Sequence, residues 1–588
     1  MDPLAFYKNE RNHYKKLLTA VQKELIWLSW IRFSAFLITV FFVYYFFGNT
    51  QEMLLTTIFG GAIFSFFLKR YWKKKEEKQA YISFVDINEL EIAVQKGDVS
   101  KLETGEELKD ATHAFSYDID LFGIGSFFQL VNRTVTSAGK QKLVSLLSAN
   151  DIEHIKKKQK SITELAGIPK WRQQFSALAG SVETEVKPDE ILHWMKKHKT
   201  SIPKCYRWLP RLFAVVSLCL IIWISFFNLP FSILTIWFFI GIGFSVRYLK
   251  NVNDLYHKAT KAKATFQQYY KLLEVLEETK FSSEALKHQH DKICVNAKKS
   301  SELMKEFFEY LNALDQRNNV IFAIFGNGLL LWDIKQASRI ENWMSNYKDQ
   351  VEDWFEVISF FDSQNSLANY VFNHPTYKFP VIVEEGAVID ANNLGHPLLS
   401  SIKRITSNCK MQGDSFFIVT GANMAGKSTF LRTISLNIMM SNVGLPVCAQ
   451  QMKYKPIKLI TSIRNSDSLS ENTSYFFSEL KRLKFIVDSL KRESYFIVLD
   501  EILKGTNSMD KAQGSQKFVE KLVNSNATGV IATHDLSLCE IAEEYPQIEN
   551  YYFDAEIKND ELFFDYKLKK GVCQNMNASF LLRKMEII

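Results

Sequence analysis

The sequence predicts an α/β domain in its C-terminal third, an all-helical region before it, and two transmembrane helical hairpins. Three observations lead to this prediction. A glycine-containing loop at 421–429 stands between an apolar run and a predicted helix. Apolar residues recur at helical spacing between Asn251 and about Ser366, with few glycines and no proline. Two pairs of long apolar runs, each joined by a short turn without basic residues, lie in the first 250 residues.

The loop Gly421-Ala-Asn-Met-Ala-Gly-Lys-Ser-Thr429 follows the pattern G-x-x-x-x-G-K-[ST]. Glycines let backbone N–H groups surround a triphosphate, Lys427 reaches its β- and γ-phosphates, and the Ser428 hydroxyl reaches Mg²⁺. The helix that follows directs its positive dipole end toward the anion. The alternative is a chance match, which the flanking strand and helix disfavour. The predicted nucleotide-binding residues of the loop are Gly421, Asn423, Met424, Gly426, Lys427, Ser428 and Thr429.

Two further apolar runs end in polar residues that would face the same site. The run 495–499 ends in Asp500 and Glu501, and the run 529–533 ends in His534. The carboxyl ends of buried parallel strands face the ligand crevice. Asp500 would hold Mg²⁺, Glu501 would polarise the attacking water, and His534 would sense the γ-phosphate. Solvated acidic residues on an edge strand and a structural histidine are the plainer alternatives.

These segments resemble the MutS-type ATPases of the ABC class, whose fold has an α/β P-loop domain and an all-α core with lever helices. Residues 420–429 are similar to that family's T-G-P-N-M-G-G-K-S-T, departing at Ala422 and Ala425. Residues 499–510 resemble its D-E-I-G-R-G-T-S-T-x-D, and residues 532–534 match its A-T-H. The resemblance implies that the chain hydrolyses ATP with Mg²⁺ as its cofactor.

The family's signature segment has a counterpart at 464–479, where its S-T-F becomes Ser474-Tyr-Phe. The resemblance implies that Ser474 approaches the γ-phosphate held by another subunit, so that ATP lies between two copies of the domain. The expected assembly is therefore a homodimer. The expected catalytic residues are Glu501, His534 and Ser474.

The resemblance continues more weakly upstream of the loop. Residues 121–159 are similar to the first helices of the MutS core, and 393–399 to an R-H-P segment, which implies that His396 and Pro397 lie near the nucleotide base. Two parts of the family are expected to be missing. They are the N-terminal domain whose Phe-x-Glu motif reads a mismatch, and the helical dimerisation extension that would follow 577–584.

The apolar runs Leu25–Phe47 and Met53–Leu68 form one pair, and Leu212–Phe227 and Phe231–Val246 form another. A run of 16 residues spans about 24 Å, less than the roughly 30 Å of a bilayer core, so length alone is ambiguous. Basic residues precede and follow each pair, whereas the turns lack them. This distribution predicts transmembrane hairpins with cytoplasmic flanks. Buried core helices are the alternative.

Composition is consistent with this arrangement. The net charge of +8 has two explanations, basic flanks beside an anionic membrane or contact with nucleic acid. Because many basic residues cluster beside the apolar runs, we assign most of the excess to the membrane. The seven cysteines have no metal-binding spacing and are expected to be reduced thiols.

The expected localisation is a bacterial inner membrane, crossed several times, with the turns 48–52 and 228–230 outside and the helical core and ATPase domain in the cytoplasm. The second hairpin lies where soluble relatives would have levers that reach DNA. The predicted divisions are a hairpin segment (1–80), a connector and first core helices (81–200), the second hairpin (201–250), the helical core and lever (251–375) and the ATPase domain (376–588).

Two functions fit these predictions. The first is a membrane-anchored sensor of mismatched DNA or DNA structure, as the resemblance implies. The second is an ATP-driven membrane switch without mismatch recognition, with membrane lipids as its partner. The motif Phe-x-Glu occurs at 307–309 and 477–479, in a helical stretch and in the ATPase signature, and neither is the expected context. A pump is a weaker third possibility, since the apolar runs contain no acidic residue as a transport site.

Overall fold

A computed structural model describes residues 1–588 apart from 183, 185, 204–205, 228–229, 295–297, 423, 465–474, 559–560 and 575–588. The chain opens with an antiparallel hairpin of two helices, α1 (Pro3–Tyr45) and α2 (Thr50–Gln95). The first two apolar runs form its tip. Residues 81–95 continue α2, so the first part of the predicted polar connector is helical.

Close packing joins the two helices at the tip of this hairpin. A Cβ on Gly60 would lie 2.2 Å from Thr39 Oγ1, which explains why the position lacks a side chain. Arg32, the one charge in the first apolar run, places its guanidinium 3.8 Å from the ring centroid of Tyr71. Two ion pairs join the polar parts of the helices, Lys15 with Glu89 at 2.6 Å and Lys74 with Glu24 at 3.0 Å.

A helical region follows and contains the second hairpin. Its helices are α3 (Phe127–Val131), α4 (Ser137–Ser148), α5 (Ile155–Ala166), α6 (Pro169–Gly180), α7 (Pro188–Lys197), α8 (Leu209–Phe227), α9 (Ser232–Glu277), α10 (Glu284–Ile293), α11 (Ser300–Leu314), α12 (Val320–Leu330) and α13 (Trp332–Asn373). α9 runs without a break from the apolar run of the second hairpin into the core. The prediction of long helices between 251 and 366 is confirmed.

Aromatic side chains from α9, α11 and α13 form the centre of this region. The ring of Phe307 lies 4.5 Å from that of Phe266 and 4.3 Å from that of Trp343, measured between centroids. Phe307 is fully buried. The Phe-x-Glu pattern at 307–309 is therefore part of a packed core and cannot enter a DNA groove.

The chain turns sharply between α12 and α13. The two helix axes differ by 81°, and Leu331 between them has a φ of +48°. Long helices were predicted for 251–366, but this short apolar helix and its bend were not.

The C-terminal part is an α/β domain with two main sheets. Its elements are β1 (Val381–Ile382), β2 (Ile389–Leu394), β3 (Ser407–Met411), β4 (Phe416–Gly421), α14 (Lys427–Val443), β5 (Gln451–Tyr454), β6 (Lys458–Ser462), α15 (Tyr475–Leu490), β7 (Tyr495–Asp500), α16 (Ser508–Asn524), β8 (Thr528–Ala532), β9 (Ile548–Phe553), β10 (Ala555–Lys558), β11 (Glu561–Phe564) and β12 (Lys569–Lys570). The larger sheet has the order β12-β9-β4-β8-β7-β6, and the smaller has the order β1-β5-β2-β3. Strands β6, β7, β8, β4 and β9 are parallel, as the buried apolar runs predict.

Several helices have the length and composition of membrane spans. In the described part of the chain, α1, α2 and α9 each meet this description, and the bent pair α12–α13 would add a fourth. The helical stretch Leu209–Ile224 is apolar but shorter. At most 6% of the apolar window in each of the three long helices is buried within the protein. These are properties of length, composition and exposure alone.

Candidate nucleotide site

The phosphate-binding loop joins β4 to α14, and two glycines determine its shape. Gly421 has a φ of +144°, and a Cβ there would lie 2.6 Å from the carbonyl oxygen of Phe553. Gly426 has a φ of +109°, and a Cβ there would lie 3.1 Å from the ring of Tyr566. Residues with L side chains rarely adopt these angles, so both positions favour glycine.

Lys427 is buried at the start of α14, and its ammonium group has three neighbours. Nζ donates to the carbonyl oxygens of Gly421 at 2.8 Å and Ala422 at 3.2 Å, and lies 3.1 Å from His534 Nε2. Burial lowers the pKa of Lys427, and the charge of Asp500 opposes this shift. An ammonium group at the N-terminus of a helix can bind phosphate oxygens.

Ser428 and Asp500 meet although β4 and β7 are not adjacent. β8 lies between them, and because all three strands are parallel their carboxyl ends share one edge. There Ser428 Oγ donates to Asp500 Oδ2 over 2.8 Å. Burial raises the pKa of Asp500, and the bond from Ser428 opposes this shift. A hydroxyl and a carboxylate are the hard oxygen ligands that Mg²⁺ prefers, so these residues fit that ion.

Glu501 follows β7 with a left-handed backbone, φ +47°. Its Oε1 lies 2.9 Å from His534 Nε2, and its Oε2 lies 3.9 Å from Lys504 Nζ. The hydrogen bond from His534 and the charge of Lys504 lower the pKa of Glu501 to about 2, although burial opposes them. His534 Nε2 also contacts Lys427, and one ring nitrogen can bond to only one of the two at a time. His534 therefore lies between the predicted phosphate-binding and catalytic groups.

The backbone after Glu501 is held by Glu479 of α15. Glu479 is buried and accepts the N–H groups of Leu503 at 2.6 Å and Lys504 at 3.1 Å. Leu503 has a φ of +59°, so this turn needs external support. The Phe-x-Glu pattern at 477–479 thus supports the loop of the site.

A network of charges that the sequence analysis missed joins the helical region to this site. Asp120 lies 2.5 Å from Arg464 and 3.2 Å from Arg432 of α14, measured between carboxylate and guanidinium atoms. Asp118 accepts the Thr461 hydroxyl at 2.6 Å and the Arg464 N–H at 2.8 Å. Two acidic residues two positions apart in an otherwise apolar segment were a signal for such a contact.

A cavity of about 260 Å³ lies beside the start of α14. Gly426 and Thr429 of the loop line it together with Phe553 and Tyr566. Aromatic rings of this kind provide flat apolar surfaces against which a nucleobase can stack. Neither aromatic residue was predicted from the sequence, because both lie more than a hundred positions after the loop.

His396 and Pro397 occupy a neighbouring position. Within the described part of the chain, neither is among the residues that line this cavity, although Leu394 and Leu399 on either side of them are. Burial and the nearby charges of Arg432 and Arg404 lower the pKa of His396 to about 4. A direct contact of His396 and Pro397 with the base stays a prediction.

Of the remaining predicted site residues, Met424 lies at the surface of the loop. Met424 is 82% exposed with a φ of +67°. Asn423 and Ser474 lie outside the described residues, as does the segment 577–584. The predicted action of Ser474 on a second subunit is therefore not tested by the geometry.

Comparisons with known proteins agree with the geometry of this domain. Residues 417–583 match the family model described as MutS domain V. Over 223 residues the chain is 34% identical to "MutS protein homolog 4" of Homo sapiens, covering 36% of this chain and 23% of that protein. It is 30% identical to "DNA mismatch repair protein MSH4" of Arabidopsis thaliana over 228 residues, 38% and 28% of the two chains. It is also 28% identical to "DNA mismatch repair protein MutS" of Desulfatibacillum aliphaticivorans over 244 residues, 40% and 27% of the two chains.

These matches concern the C-terminal part of the chain. The matched region covers about a quarter of the length of each relative. MutS domain V is an ATPase domain, so residues 417–583 form an ATPase domain of the MutS type. The protein thus combines a mostly helical N-terminal region with an α/β ATPase domain. The resemblance of the upstream helices to the MutS core stays a prediction.

Proposed function

We propose that this protein is a membrane-anchored ATPase in which ATP binding closes two subunits and thereby moves the helical hairpins. One observation carries the proposal. α9 is a single helix of 46 residues whose first part is apolar and exposed and whose last part packs in the core near α13. A rigid element of this kind can transmit movement between the two regions.

The residues of the site suggest how hydrolysis would proceed. Lys427 would exchange the carbonyl oxygens of Gly421 and Ala422 for phosphate oxygens of ATP. Ser428 and Asp500 would hold Mg²⁺, which when bound neutralises charge on the phosphates. Glu501, ionised because of its low pKa, would leave His534 and orient the attacking water. His534 would then be free to contact the γ-phosphate.

A homodimer is part of the proposal. Its support is the resemblance of 464–479 to the MutS signature, which implies that Ser474 completes the site of a second subunit. Asp120 joins Arg464, the first residue of this segment, to Arg432 on the helix that begins with Lys427. Closure of a dimer would therefore act on the helical region through Asp120.

Membrane anchoring is supported by exposure and charge. Apolar side chains at the predicted bilayer level are largely exposed, for example Trp30 at 65%, Phe59 at 70% and Phe239 at 64%. Soluble monomeric proteins rarely expose contiguous apolar surfaces larger than roughly a few hundred Å². Basic residues flank both hairpins and are absent from the turns, which favours cytoplasmic flanks. The proposed location is a bacterial inner membrane with both main domains in the cytoplasm.

Extraction and labelling test the anchoring. The chain should stay in the membrane fraction after washing with carbonate or high salt. A cysteine introduced at Asn49 should react with an impermeant thiol reagent on intact cells, whereas one at Lys567 should react only after lysis. Release of the whole chain by carbonate would refute membrane anchoring.

Binding of mismatched DNA is a second candidate function, favoured by the similarity of the ATPase domain to DNA mismatch repair proteins of a bacterium and a plant. ATPase rates of the purified protein with added anionic vesicles, mismatched duplex or perfect duplex distinguish the two. The switch predicts a response to vesicles and only weak, salt-sensitive DNA binding without preference for the mismatch. Tight and mismatch-selective binding would favour the repair sensor.

A further inference from the structure

α12 lies beside α9 and runs in the opposite direction. Near its start, Asn318 donates to the hydroxyl of Tyr256 over 2.7 Å. Near its end, the ring of Phe325 lies 5.8 Å from that of Phe238, measured between centroids. Residue 318 thus lies beside residue 256 of α9, and the ring of Phe325 reaches a ring in the apolar part of α9. α12 rises from the polar part of α9 into its apolar part.

The C-terminal end of α12 packs against both helices of the second hairpin, α8 and α9. A Cβ on Gly241 would lie 2.3 Å from the carbonyl oxygen of Gly328, so the two helices touch at their backbones. Ser217 of α8 donates to the carbonyl oxygen of Leu329 over 2.7 Å. Gly241 is five positions inside Val246, the end of the apolar run, which corresponds to about 8 Å along the helix.

The outer side of α12 has no cover within the described part of the chain. Its large apolar side chains are exposed, Val320 at 70%, Ile321 at 71%, Ile324 at 47% and Phe325 at 58%. The segment 320–331 contains no charged residue. Eleven residues span about 16 Å, close to half of the roughly 30 Å hydrocarbon core.

Two polar contacts bridge the break after α12. Asn327 Oδ1 accepts the backbone N–H of Asp333 over 2.9 Å, and Asp333 pairs with Arg317 at 3.2 Å. Non-helical backbone at membrane depth is tolerated where protein groups satisfy it in this way. The chain can therefore enter the bilayer and leave it on the same side.

We propose that α12 is a re-entrant helix whose exposed side contacts lipid acyl chains in the cytoplasmic leaflet. This inference rests on the proposed membrane anchoring and extends it to a segment outside the two hairpins. Because α12 continues into α13, whose other end leads to the ATPase domain, it also gives that domain a second connection to the bilayer. The occupant of this surface is lipid hydrocarbon.

The test uses the full chain in vesicles whose lipids carry a nitroxide either on the acyl chain or on the headgroup. A fluorescent amino acid is introduced singly at Phe325, at Phe239 of α9, or at Ile124. Ile124 is a matched control because it is 86% exposed but lies in the turn before α3, outside the apolar runs of both hairpins. We expect the acyl-chain nitroxide to quench the fluorophores at positions 325 and 239 severalfold more than the fluorophore at position 124. At positions 325 and 239 it should also quench more strongly than the headgroup nitroxide.

The outcomes separate this inference from the function on which it rests. Quenching at Phe239 without quenching at Phe325 would overturn the re-entrant helix and leave membrane anchoring intact. Quenching at neither position would overturn both. Stronger quenching of Phe325 by the headgroup nitroxide than by the acyl-chain nitroxide would also overturn it, since the helix would then lie at the surface.

Discussion

At the residue scale, each predicted side chain of the nucleotide site contacts a neighbouring protein group. During turnover it would exchange that contact for one with ATP, Mg²⁺ or water. Lys427 binds loop carbonyl oxygens, Ser428 binds Asp500, and Glu501 contacts His534. All these contacts are within the site itself. Hydrolysis therefore requires local exchanges of partners rather than refolding, as expected for catalysis by positioning.

Replacing Glu501 tests its role as the residue that activates water. Glu501→Gln keeps the shape of the side chain but cannot accept a proton, so we expect phosphate release to fall by about 10² to 10⁴-fold. Binding of a fluorescent ATP analogue should persist, whereas Lys427→Ala should abolish it. Glu544→Gln, which changes an exposed carboxylate in the same domain, should behave like wild type. Wild-type turnover by Glu501→Gln would contradict the assignment.

Asp120 provides a second prediction at this scale. Asp120→Asn removes the charge that Arg432 and Arg464 share, so Arg464 should lose its fixed position relative to α14. Energetic coupling of about 0.5 to 2 kcal/mol corresponds to a loss of roughly 2- to 30-fold in kcat. The Kd for ATP should stay within about threefold.

A control separates this effect from a general loss of surface charge. Asp488→Asn removes an exposed carboxylate of α15 that pairs with Lys491 at 2.7 Å. It should leave both kcat and the Kd for ATP unchanged. Equal effects of the two substitutions on kcat, measured by phosphate release, would show that Asp120 has no special connection to the site.

At the scale of elements, the contact between α9 and α12 depends on a small residue. Gly241→Ala would place a Cβ 2.3 Å from the carbonyl oxygen of Gly328, and we expect a loss of stability of about 1 to 3 kcal/mol. Gly243 lies on the same helix with no atom within 4 Å of its Cβ position. Gly243→Ala should be neutral or stabilising by up to about 1 kcal/mol because alanine favours helix. Thermal unfolding in detergent measures both, and equal melting temperatures would contradict the proposed packing.

The elements that could be predicted from sequence are those whose signal is local. β4, β7 and β8 are continuous apolar runs, and the two hairpins were predicted from paired apolar runs with flanking basic residues. α12 could not be recognised in this way because 320–331 is shorter than a membrane span. Its position follows from the bend at Leu331 and the contact with Gly241, which are tertiary features.

The same distinction applies to the site. Lys427, Ser428, Asp500, Glu501 and His534 were predicted because each follows a recognisable strand or loop. The positions of Asp118 and Asp120 depend on how the helical region docks against the ATPase domain, more than 300 positions away. Tyr566 reaches Gly426 only because the segment after β11 folds back over the loop. Neither arrangement has a periodic signal.

At the scale of the whole molecule, two long helices connect the ATPase domain with the apolar segments. α13 has 42 residues, a length of about 60 Å, and ends eight positions before β1. α9 has 46 residues and packs beside it in the core. Each helix begins among the apolar segments, so a movement of the ATPase domain would reach them through two rigid elements.

This arrangement leads to a prediction about the proposed dimer. ATP favours the closed pair of ATPase domains only if it binds that state more tightly, and its free energy reaches the bilayer only through helices joined to those domains. Probes at Arg247, just beyond the apolar part of α9, should therefore change their separation between nucleotide-free protein and ATP-bound Glu501→Gln by on the order of 5 Å. Pulsed electron resonance on vesicle-reconstituted protein measures this distance. Probes at Ile124 should report whether the whole helical region moves with α9. An unchanged Arg247 distance, combined with an ATP-dependent dimer, would mean that the ATPase cycle does not act on the hairpins.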